Sequence, residues 1–264
     1  MGHQPRKRFG QNFLVDDRVV YAIVSAISPR NDEHLVEIGP GQGALTLRLL
    51  RECAQLDVIE LDRDLVSLLQ TKFAHEEKLH IHSGDAMKFD YASLAEAGPL
   101  RVIGNLPYNI STPLLFHLFE YSYVIKDMHF MLQKEVVDRL CAQAGDKDYG
   151  RLGVMASYYC SMESLLNVYP ESFNPRPKII SSVVRLVPHR QKPIALPHEV
   201  LNRVVTAAFS QRRKTLRNSL NTLLTADDIA SVGIEPGERA ERLSLADFAK
   251  LGELLLEREN RRSE

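Results

Sequence analysis

Short apolar runs alternate with amphipathic stretches along the first two thirds of this 264-residue chain, and this alternation narrows the possible folds more than any other property. The apolar runs have the length and composition of buried strands, and the stretches between them repeat apolar residues at helical spacing. Such alternation favours a parallel sheet with helices on both faces. The predicted strands are His34–Ile38, Leu56–Glu60, Leu79–His82, Arg101–Ile103 and Met128–Leu132, and the predicted helices between them are Ala44–Arg51, Arg63–Phe73, Pro113–Phe119 and Glu135–Ala142.

The pattern changes towards the end of the chain. Two more strands, Ser164–Tyr169 and Ser181–Val187, are expected to form an antiparallel hairpin at the sheet edge. Val187–Pro197 is rich in proline and charge, as is typical of a linker, and only helical periodicity follows it. The sequence therefore predicts two domains. Residues 1–188 form a Rossmann-like, doubly wound, mostly parallel α/β domain, and residues 189–264 form a small all-helical domain.

The composition is that of an ordinary globular protein, with 44% hydrophobic and 25% charged residues. There is no run of about 18 apolar residues, so a membrane-spanning helix is not expected. Met1–Gly10 is basic and polar and precedes no apolar run, so a secretory signal is not expected. The three cysteines lack metal-type spacing and indicate free thiols. These observations favour a cytoplasmic protein without a metal site.

A glycine-rich turn, Glu37–Gly43, joins the first predicted strand to the helix after it. Gly39, Gly41 and Ala44 fit the Gly-x-Gly-x-x-Gly/Ala pattern, in which the backbone approaches a ligand closely because no Cβ intervenes. The pattern alone is a weak signal, because a tight turn that packs a helix on a sheet can use the same glycines.

Two acids at the next strand ends strengthen the prediction of a ligand. Glu60 ends the second strand about 20 residues after the glycines, where a carboxylate can accept hydrogen bonds from ribose hydroxyls. Asp85 follows the third strand. A nicotinamide enzyme gives no reason for this last acid, whereas a nucleoside whose amino group needs an acceptor does. The three strand ends therefore favour a nucleoside ligand, and a nicotinamide oxidoreductase remains a rival.

The fourth strand ends in an amide, a proline and an aromatic ring, within Asn105–Tyr108. The exocyclic nitrogen of adenine is a poor nucleophile because its lone pair is delocalised into the ring. Acceptors at the Asn105 side chain and the Leu106 carbonyl can hold its two hydrogens and direct the lone pair at an electrophile. Pro107 fixes the backbone, and Tyr108 can stack on the base.

An alternative for this stretch is a turn in which Asn105 caps the next helix and Tyr108 only packs. A cap is already expected from Ser111 or Thr112, directly before Pro113. The sequence therefore favours recognition of a planar amine.

Taken together, these motifs resemble those of adenine-N6 methyltransferases dependent on S-adenosylmethionine. Three further segments, Arg8–Leu14, Phe173–Lys178 and Phe209–Ser219, narrow the resemblance. They are similar to the signatures of ribosomal RNA small-subunit adenine dimethyltransferases, the dimethyladenosine transferase family whose loss gives kasugamycin resistance in bacteria. The resemblance runs from about Arg6 to the C-terminal helices, and it implies the class I methyltransferase fold.

The resemblance implies a role for each matching residue. Asn12 and Leu14 would close over S-adenosylmethionine, and Gly39 and Gly41 would approach its methionine portion. Glu60 would bind the ribose and Asp85 the adenine amino group. Asn105 would also contact the cofactor. The target adenine would be held by Asn105, Leu106, Pro107 and Tyr108, and Phe173 would stack on its other face.

The implied reaction transfers a methyl group in line from sulfur to nitrogen, twice on each of two adjacent adenines near the 3′ end of small-subunit ribosomal RNA. It needs no metal, no covalent enzyme intermediate and no strong general base. The implied partner is a small-subunit assembly intermediate late in ribosome biogenesis.

The charge distribution supports an RNA partner, although the net charge of −1 argues weakly against one. Asn174–Leu220 holds ten cations and one acid, a balance of +9 that leaves −10 for the remainder. Within it, a cationic stripe that can neutralise phosphates without reading sequence consists of Arg212, Arg213, Lys214 and Arg217. A solvated helix face is the alternative, and RNA contact is favoured.

Two rival functions, the role of one loop and the oligomeric state stay open at this point. A large-subunit ribosomal RNA adenine methyltransferase of the antibiotic-resistance kind shares most of the motifs, although Phe209–Ser219 favours the small subunit. An RNA-binding assembly factor with a relic cofactor pocket would share them too. The loop at 143–150 is either a lid or a plain surface loop, and the absence of heptads favours a monomer.

Overall fold

The computed structural model describes residues 11–211 and 213–263. In the described part the strands are β1 (Phe13–Leu14), β2 (His34–Ile38), β3 (Gln55–Glu60), β4 (Leu79–Ser83), β5 (Leu100–Asn105), β6 (Ile125–Gln133), β7 (Cys160–Val168), β8 (Phe173–Asn174) and β9 (Ser181–Pro188). The helices are α1 (Asp17–Ile27), α2 (Thr46–Leu49), α3 (Arg63–Lys72), α4 (Ser111–Glu120), α5 (Lys134–Cys141), α6 (Arg151–Ser157), α7 (His198–Ala208), α8 (Leu216–Ser219), α9 (Ala226–Ser231) and α10 (Leu245–Ser263). None of these helices is both long and apolar enough to cross a lipid bilayer.

The main sheet has the strand order β4-β3-β2-β5-β6-β9-β7. The strands from β4 to β6 in this order pair in parallel, and β9 runs antiparallel to β6. β7 lies beside β9 at the edge, and β1 and β8 form a separate antiparallel pair. The predicted Rossmann-like, doubly wound, mostly parallel sheet is thereby confirmed. Its strand order reverses between β2 and β5, and sheets of this kind bind ligands at the carboxyl edge beside such a reversal.

Helix α1 was not predicted, although the sequence carries its signals. Asp16 caps the helix by accepting a hydrogen bond of 2.9 Å from an amide in its first turn. Val20, Ile23, Val24 and Ile27 recur at helical spacing and are buried in the hydrophobic core. The helix therefore covers one face of the sheet.

The predicted cap of α4 is wrong. Its N-cap is Ile110, which makes no side-chain capping bond. The hydroxyl of Ser111 instead donates to the carbonyl oxygen of Tyr108 at 3.1 Å. Ser111 therefore supports the turn after β5 rather than the first amides of the helix.

Contacts divide the chain into two compact units, Met1–Val137 with Met162–Pro188, and Asp138–Ser161 with His189–Glu264. The first unit contains most of the sheet. The second is mainly helical and also takes in the loop at 143–150, whose Tyr149 hydroxyl donates to the carbonyl of Leu243 at 2.8 Å. The first unit ends at Pro188, and the second resumes at His189. That Asp138–Ser161 belongs to the second unit was not predicted.

Candidate functional site

The carboxyl ends of β2, β3, β4 and β5 surround a cavity of about 240 Å³. Parallel strands bring their carboxyl ends to one edge, so residues far apart in sequence meet there. The N-terminal segment that precedes and enters β1 forms a further wall. The lining residues that the sequence singled out are Asn12, Gly39, Gly41, Glu60, Asp85, Asn105, Leu106, Pro107 and Tyr108.

The glycine turn after β2 has a backbone that side chains would not tolerate. Gly39 and Gly41 have φ angles of 65° and 56°. A Cβ on Gly41 would lie 2.9 Å from the Phe13 ring, and the amide of Gly39 donates to the Ile59 carbonyl at 2.9 Å. The turn is therefore pinned to β3 on one side and covered by β1 on the other, with its backbone facing the cavity.

Glu60 ends β3 and is 7% exposed. Its carboxylate accepts hydrogen bonds from the amide of Asp62 at 2.9 Å and from the amide of Gly41 at 3.4 Å. Burial raises the pKa of Glu60 despite these hydrogen bonds. The side chain is thus held at the cavity wall by backbone donors from two different turns.

Glu37 begins the glycine-rich motif, but no role in the site was predicted for it from the sequence. It is 2% exposed, and it lines a smaller adjoining cavity of about 40 Å³ beside Gly39 and Gly41. Burial raises its pKa to about 7, against a hydrogen bond of 2.6 Å from the Thr46 hydroxyl. The acidic position before the glycines was visible in the sequence, but its complete burial was not.

Asn105 is oriented by the N-terminal segment. Its Nδ2 atom donates to the carbonyl oxygen of Asn12 at 3.1 Å, and this bond does not use the side-chain oxygen of a residue that lines the cavity. The Leu106 amide donates to the Met131 carbonyl at 3.2 Å, so the backbone of this turn is tied to β6. Asn105 therefore does not cap the next helix, which rules out the alternative in which this stretch is only a capped turn.

Tyr108 is fixed at both of its ends. Its phenol hydroxyl lies 2.8 Å from the hydroxyl of Ser181 at the start of β9, and its carbonyl accepts the bond from Ser111. The ring lines the cavity between these two anchors. The contact with Ser181 had no signal in the sequence, because the two residues are 73 positions apart.

Two predicted residues do not line the larger cavity. Leu14 is buried in β1 and lines only the smaller cavity. Phe173 pairs with Leu14 across β8 and β1 and is 3% exposed within the hydrophobic core. Its ring therefore lies in the packing beneath the site, and stacking of Phe173 on a base would require it to leave that packing.

The predicted RNA-contacting cations lie in the second unit. Arg213, Lys214 and Arg217 are exposed, whereas Arg212 lies outside the described residues, as does Arg8–Gly10 of the N-terminal motif. Among the described residues, no group of three or more histidine, cysteine or acidic side chains is arranged to hold a metal ion.

Some of the positive charge in Asn174–Leu220 is used within the protein. Arg185 pairs with Glu163 at 2.5 Å, and Arg203 makes two hydrogen bonds to Glu259, at 2.6 and 3.0 Å. The charge available to a polyanion is therefore smaller than the sequence count indicates.

Comparisons with known proteins agree with this geometry. A family model described as ribosomal RNA adenine dimethylase matches residues 2–257. A "Ribosomal RNA small subunit methyltransferase A" from Methylococcus capsulatus is 59% identical over 97% of this chain and 99% of its own. A protein of the same name from Pseudomonas aeruginosa is 56% identical over 97% of this chain and 96% of its own.

Solved structures share the fold. A dimethyladenosine transferase from Plasmodium falciparum is 26% identical, covers 95% of this chain and 98% of its own, and has a TM-score of 0.81. The 23S rRNA methyltransferase ErmE is 23% identical, covers 92% of this chain and 99% of its own, and has a TM-score of 0.73. The latter likeness concerns the fold alone.

Proposed function

Since the chain belongs to the ribosomal RNA adenine dimethylase family, we propose that it dimethylates N6 of two adjacent adenines near the 3′ end of small-subunit ribosomal RNA. The observation that carries the proposal is the position of Asn105, which lines the cavity and whose side-chain amide donates to the Asn12 carbonyl, so that its oxygen is not used in that bond. The names of the bacterial relatives support the small subunit as the target.

S-adenosylmethionine fits the cavity by the chemistry of its walls. Gly39 and Gly41 line the cavity in a left-handed backbone conformation and carry no Cβ, so a ligand can approach the backbone closely there. Glu60 offers acceptor atoms for ribose hydroxyls, and Asp85, in the turn after β4, offers one for an adenine amino group. When bound, this molecule supplies an electrophilic methyl group on a positively charged sulfur, and the acidic walls suit that charge.

The residues after β5 act on the nucleophile. The Asn105 oxygen and the Leu106 carbonyl accept the two N6 hydrogens, so that the nitrogen lone pair points at the methyl carbon. As the nitrogen–carbon bond forms, the carbon–sulfur bond breaks and the nitrogen releases a proton to water. Tyr108, anchored by Ser181, provides the surface on which the adenine stacks.

Arg213, Lys214 and Arg217, together with Arg212, are proposed to contact RNA phosphates. Their exposure supports this role for the three described residues. Because no base-reading module is recognised, specificity would come from RNA shape and from an adenine turned out of its stack. Stacking by Phe173 on the second face of that adenine stays a prediction.

The biological setting follows from the proposed substrate. We place the protein in the cytoplasm as a monomer that acts on a late small-subunit assembly intermediate. The loop at 143–150 is tied to the second unit through Tyr149 and through a hydrogen bond of 2.8 Å from the Gly145 amide to the Glu241 carbonyl. These bonds favour a surface loop over a lid.

The deciding experiment offers labelled S-adenosylmethionine and the purified protein to unmethylated small and large ribosomal subunits. The expected result is label in small-subunit RNA and N6,N6-dimethyladenosine in its nuclease digest by mass spectrometry. Label in the large subunit alone would establish the antibiotic-resistance activity instead. Absence of label from both subunits would overturn the proposal.

A further inference from the structure

The segment between β8 and β9, residues 175–180, is anchored at the cavity at both ends. Before it, Asn174 pairs with Phe13, whose ring lines the cavity. After it, Ser181 bonds to Tyr108, which also lines the cavity. Within it, the Ile180 carbonyl accepts a hydrogen bond of 3.0 Å from an amide at the start of α5. We call residues 175–180 the rim segment.

The register of the sheet places the rim segment at the same edge as the cavity. Ser181 pairs with Gln133, the last residue of β6, in the antiparallel ladder between β9 and β6. The start of β9 therefore lies at the carboxyl end of the parallel strands, where β5 delivers Asn105. We therefore expect a substrate base that reaches Asn105 and Tyr108 to have its sugar and phosphates close to this segment.

Two cations stand on the rim segment. Arg176 and Lys178 are both exposed, and neither is paired with an acid in the part of the chain that the structure describes. Arg185, which also lies in the basic segment Asn174–Leu220, differs because it forms an ion pair with Glu163. The rim segment thus carries positive charge at the sheet edge that holds the cavity, whose lining includes the acidic residues Glu60 and Asp85.

The backbone of the rim segment suits a fixed contact. Pro175 and Pro177 flank Arg176, so φ is restricted on both sides and Arg176 itself is disfavoured in the helical region. A stiff segment loses less conformational entropy when its side chains become ordered on a ligand. Lys178 follows directly, and its flexible stem can reach a neighbouring phosphate.

We propose that Arg176 and Lys178 bind the phosphates on either side of the target adenosine. This inference rests on the proposed function, since it takes the cavity as the place where a single RNA base is methylated. It assigns the rim segment to the RNA strand immediately around that base. The cationic stripe of the second unit was also proposed to contact RNA phosphates, but where those phosphates lie relative to the target adenosine was not specified. Phosphate contacts of this kind position a substrate without reading its sequence.

The test removes both charges in the full-length protein, as Arg176→Gln with Lys178→Gln, and measures KM for unmethylated small ribosomal subunits between 50 and 200 mM salt. Two lost phosphate contacts reduce the slope of log KM against log salt by about 1.4, at about 0.7 per contact for single strands. Over that range, KM of the parent should therefore rise about sevenfold more than KM of the variant. Each single substitution should give about half of the change in slope.

A matched control is Arg51→Gln with Lys78→Gln. These exposed cations precede β3 and β4, at the amino edge of the sheet and away from the cavity. The control should keep the parent's salt slope. Equal slopes in the rim variant and the parent would overturn the proposal. A decrease in slope in the control as large as that in the rim variant would overturn it too. Thermal denaturation of each variant separates a folding defect from a binding defect, and the single substitutions serve if the double variant is unstable.

A second arm uses equilibrium binding of the full-length protein to a single-stranded RNA containing one adenosine, with either charged or neutral methylphosphonate linkages on both sides of it. Parent binding should weaken with the neutral linkages, and binding of the double variant should not change. Equal sensitivity of parent and variant would overturn the inference. Because this arm measures binding, it remains decisive even if the parent transfers no methyl group to ribosomal RNA and the proposed function fails.

Discussion

The hydroxyl groups of Tyr108 and Ser181 lie 2.8 Å apart and join the turn after β5 to the first residue of β9. Ser181 is 1% exposed and is held in the ladder with β6, so its own position is fixed by the sheet. Tyr108 lines the cavity and depends on this bond for the direction of its phenol group. Strand β9 thereby restrains the orientation of the Tyr108 side chain at the cavity wall.

Ser181→Ala should lower kcat/KM for the RNA substrate about three- to tenfold, the range of one net hydrogen bond. On a Tyr108→Phe background, which keeps the ring but lacks the hydroxyl, the same substitution should add little, because the bond is already absent. Ser182→Ala is the matched control, since Ser182 is equally buried and bonds to the Leu166 carbonyl at 3.1 Å, away from the cavity. Additive losses in the double variant would refute the coupling.

Asn105→Ala should abolish methyl transfer, with a loss of at least about 10²–10³ in kcat, because an acceptor aimed at the reacting amine is removed. RNA binding should stay nearly intact, since the phosphate contacts lie elsewhere. Asn105→Asp keeps an acceptor while losing the donor to Asn12, and it should retain more activity than Asn105→Ala. Methyl transfer is measured with labelled S-adenosylmethionine and binding by filter retention. Parental turnover by Asn105→Ala would refute the role given to Asn105.

Periodicity and turn chemistry were enough to predict the sheet and the cavity edge. The five parallel strands were predicted within three residues of their bounds, because buried strands are read from local apolar runs. Glu60, Asp85 and Asn105 were found for a related reason, since each ends or follows a predicted strand and parallel strands end at one edge. The positions of these three cavity-lining residues were therefore predictable from local sequence.

Contacts between distant segments were not predictable in this way. Sequence periodicity does not show that Asn12 receives a hydrogen bond from Asn105, or that Phe173 packs in the core against β1. The pairing of Arg185 with Glu163 likewise depends on a strand neighbour that only the folded sheet supplies. Tertiary contacts of this kind decide which charges are free and which rings face a ligand.

Gly41→Ala should raise KM for S-adenosylmethionine at least about tenfold, because a left-handed backbone costs a side chain about 1–2 kcal/mol and the new Cβ would meet Phe13 at 2.9 Å. Gly84→Ala is the matched control. Gly84 also lines the cavity, but an added Cβ there has no atom within 4 Å, so KM should change by less than about twofold. Initial rates at varied S-adenosylmethionine measure both, and similar KM values for the two variants would contradict the close-approach argument.

Glu37→Gln should change how stability depends on pH. Burial raises the pKa of Glu37 to about 7 from an ordinary value of 4.5, so between these values the folded state binds more protons than the unfolded state. The contribution of Glu37 to the free energy of unfolding therefore falls as the pH rises through this window and is constant above it. A glutamine does not titrate, so the Tm of the variant minus that of the parent should increase from pH 5 to pH 8. A difference that stays flat across this pH range would refute the raised pKa of Glu37.

Removing the charges of the second unit's stripe, as Arg213→Gln, Lys214→Gln and Arg217→Gln, should weaken binding to small ribosomal subunits. If each contacts one phosphate, the slope of log Kd against log salt falls by about 2, at about 0.7 per contact. Arg185→Gln with Arg203→Gln is the comparison, because both of these cations are already paired, with Glu163 and Glu259. Their loss should change the slope by much less per charge, since a paired cation releases few counterions on binding. If the slope of log Kd against log salt falls equally per removed charge in the two variants, binding depends on total charge alone. The stripe would then make no phosphate contacts of its own.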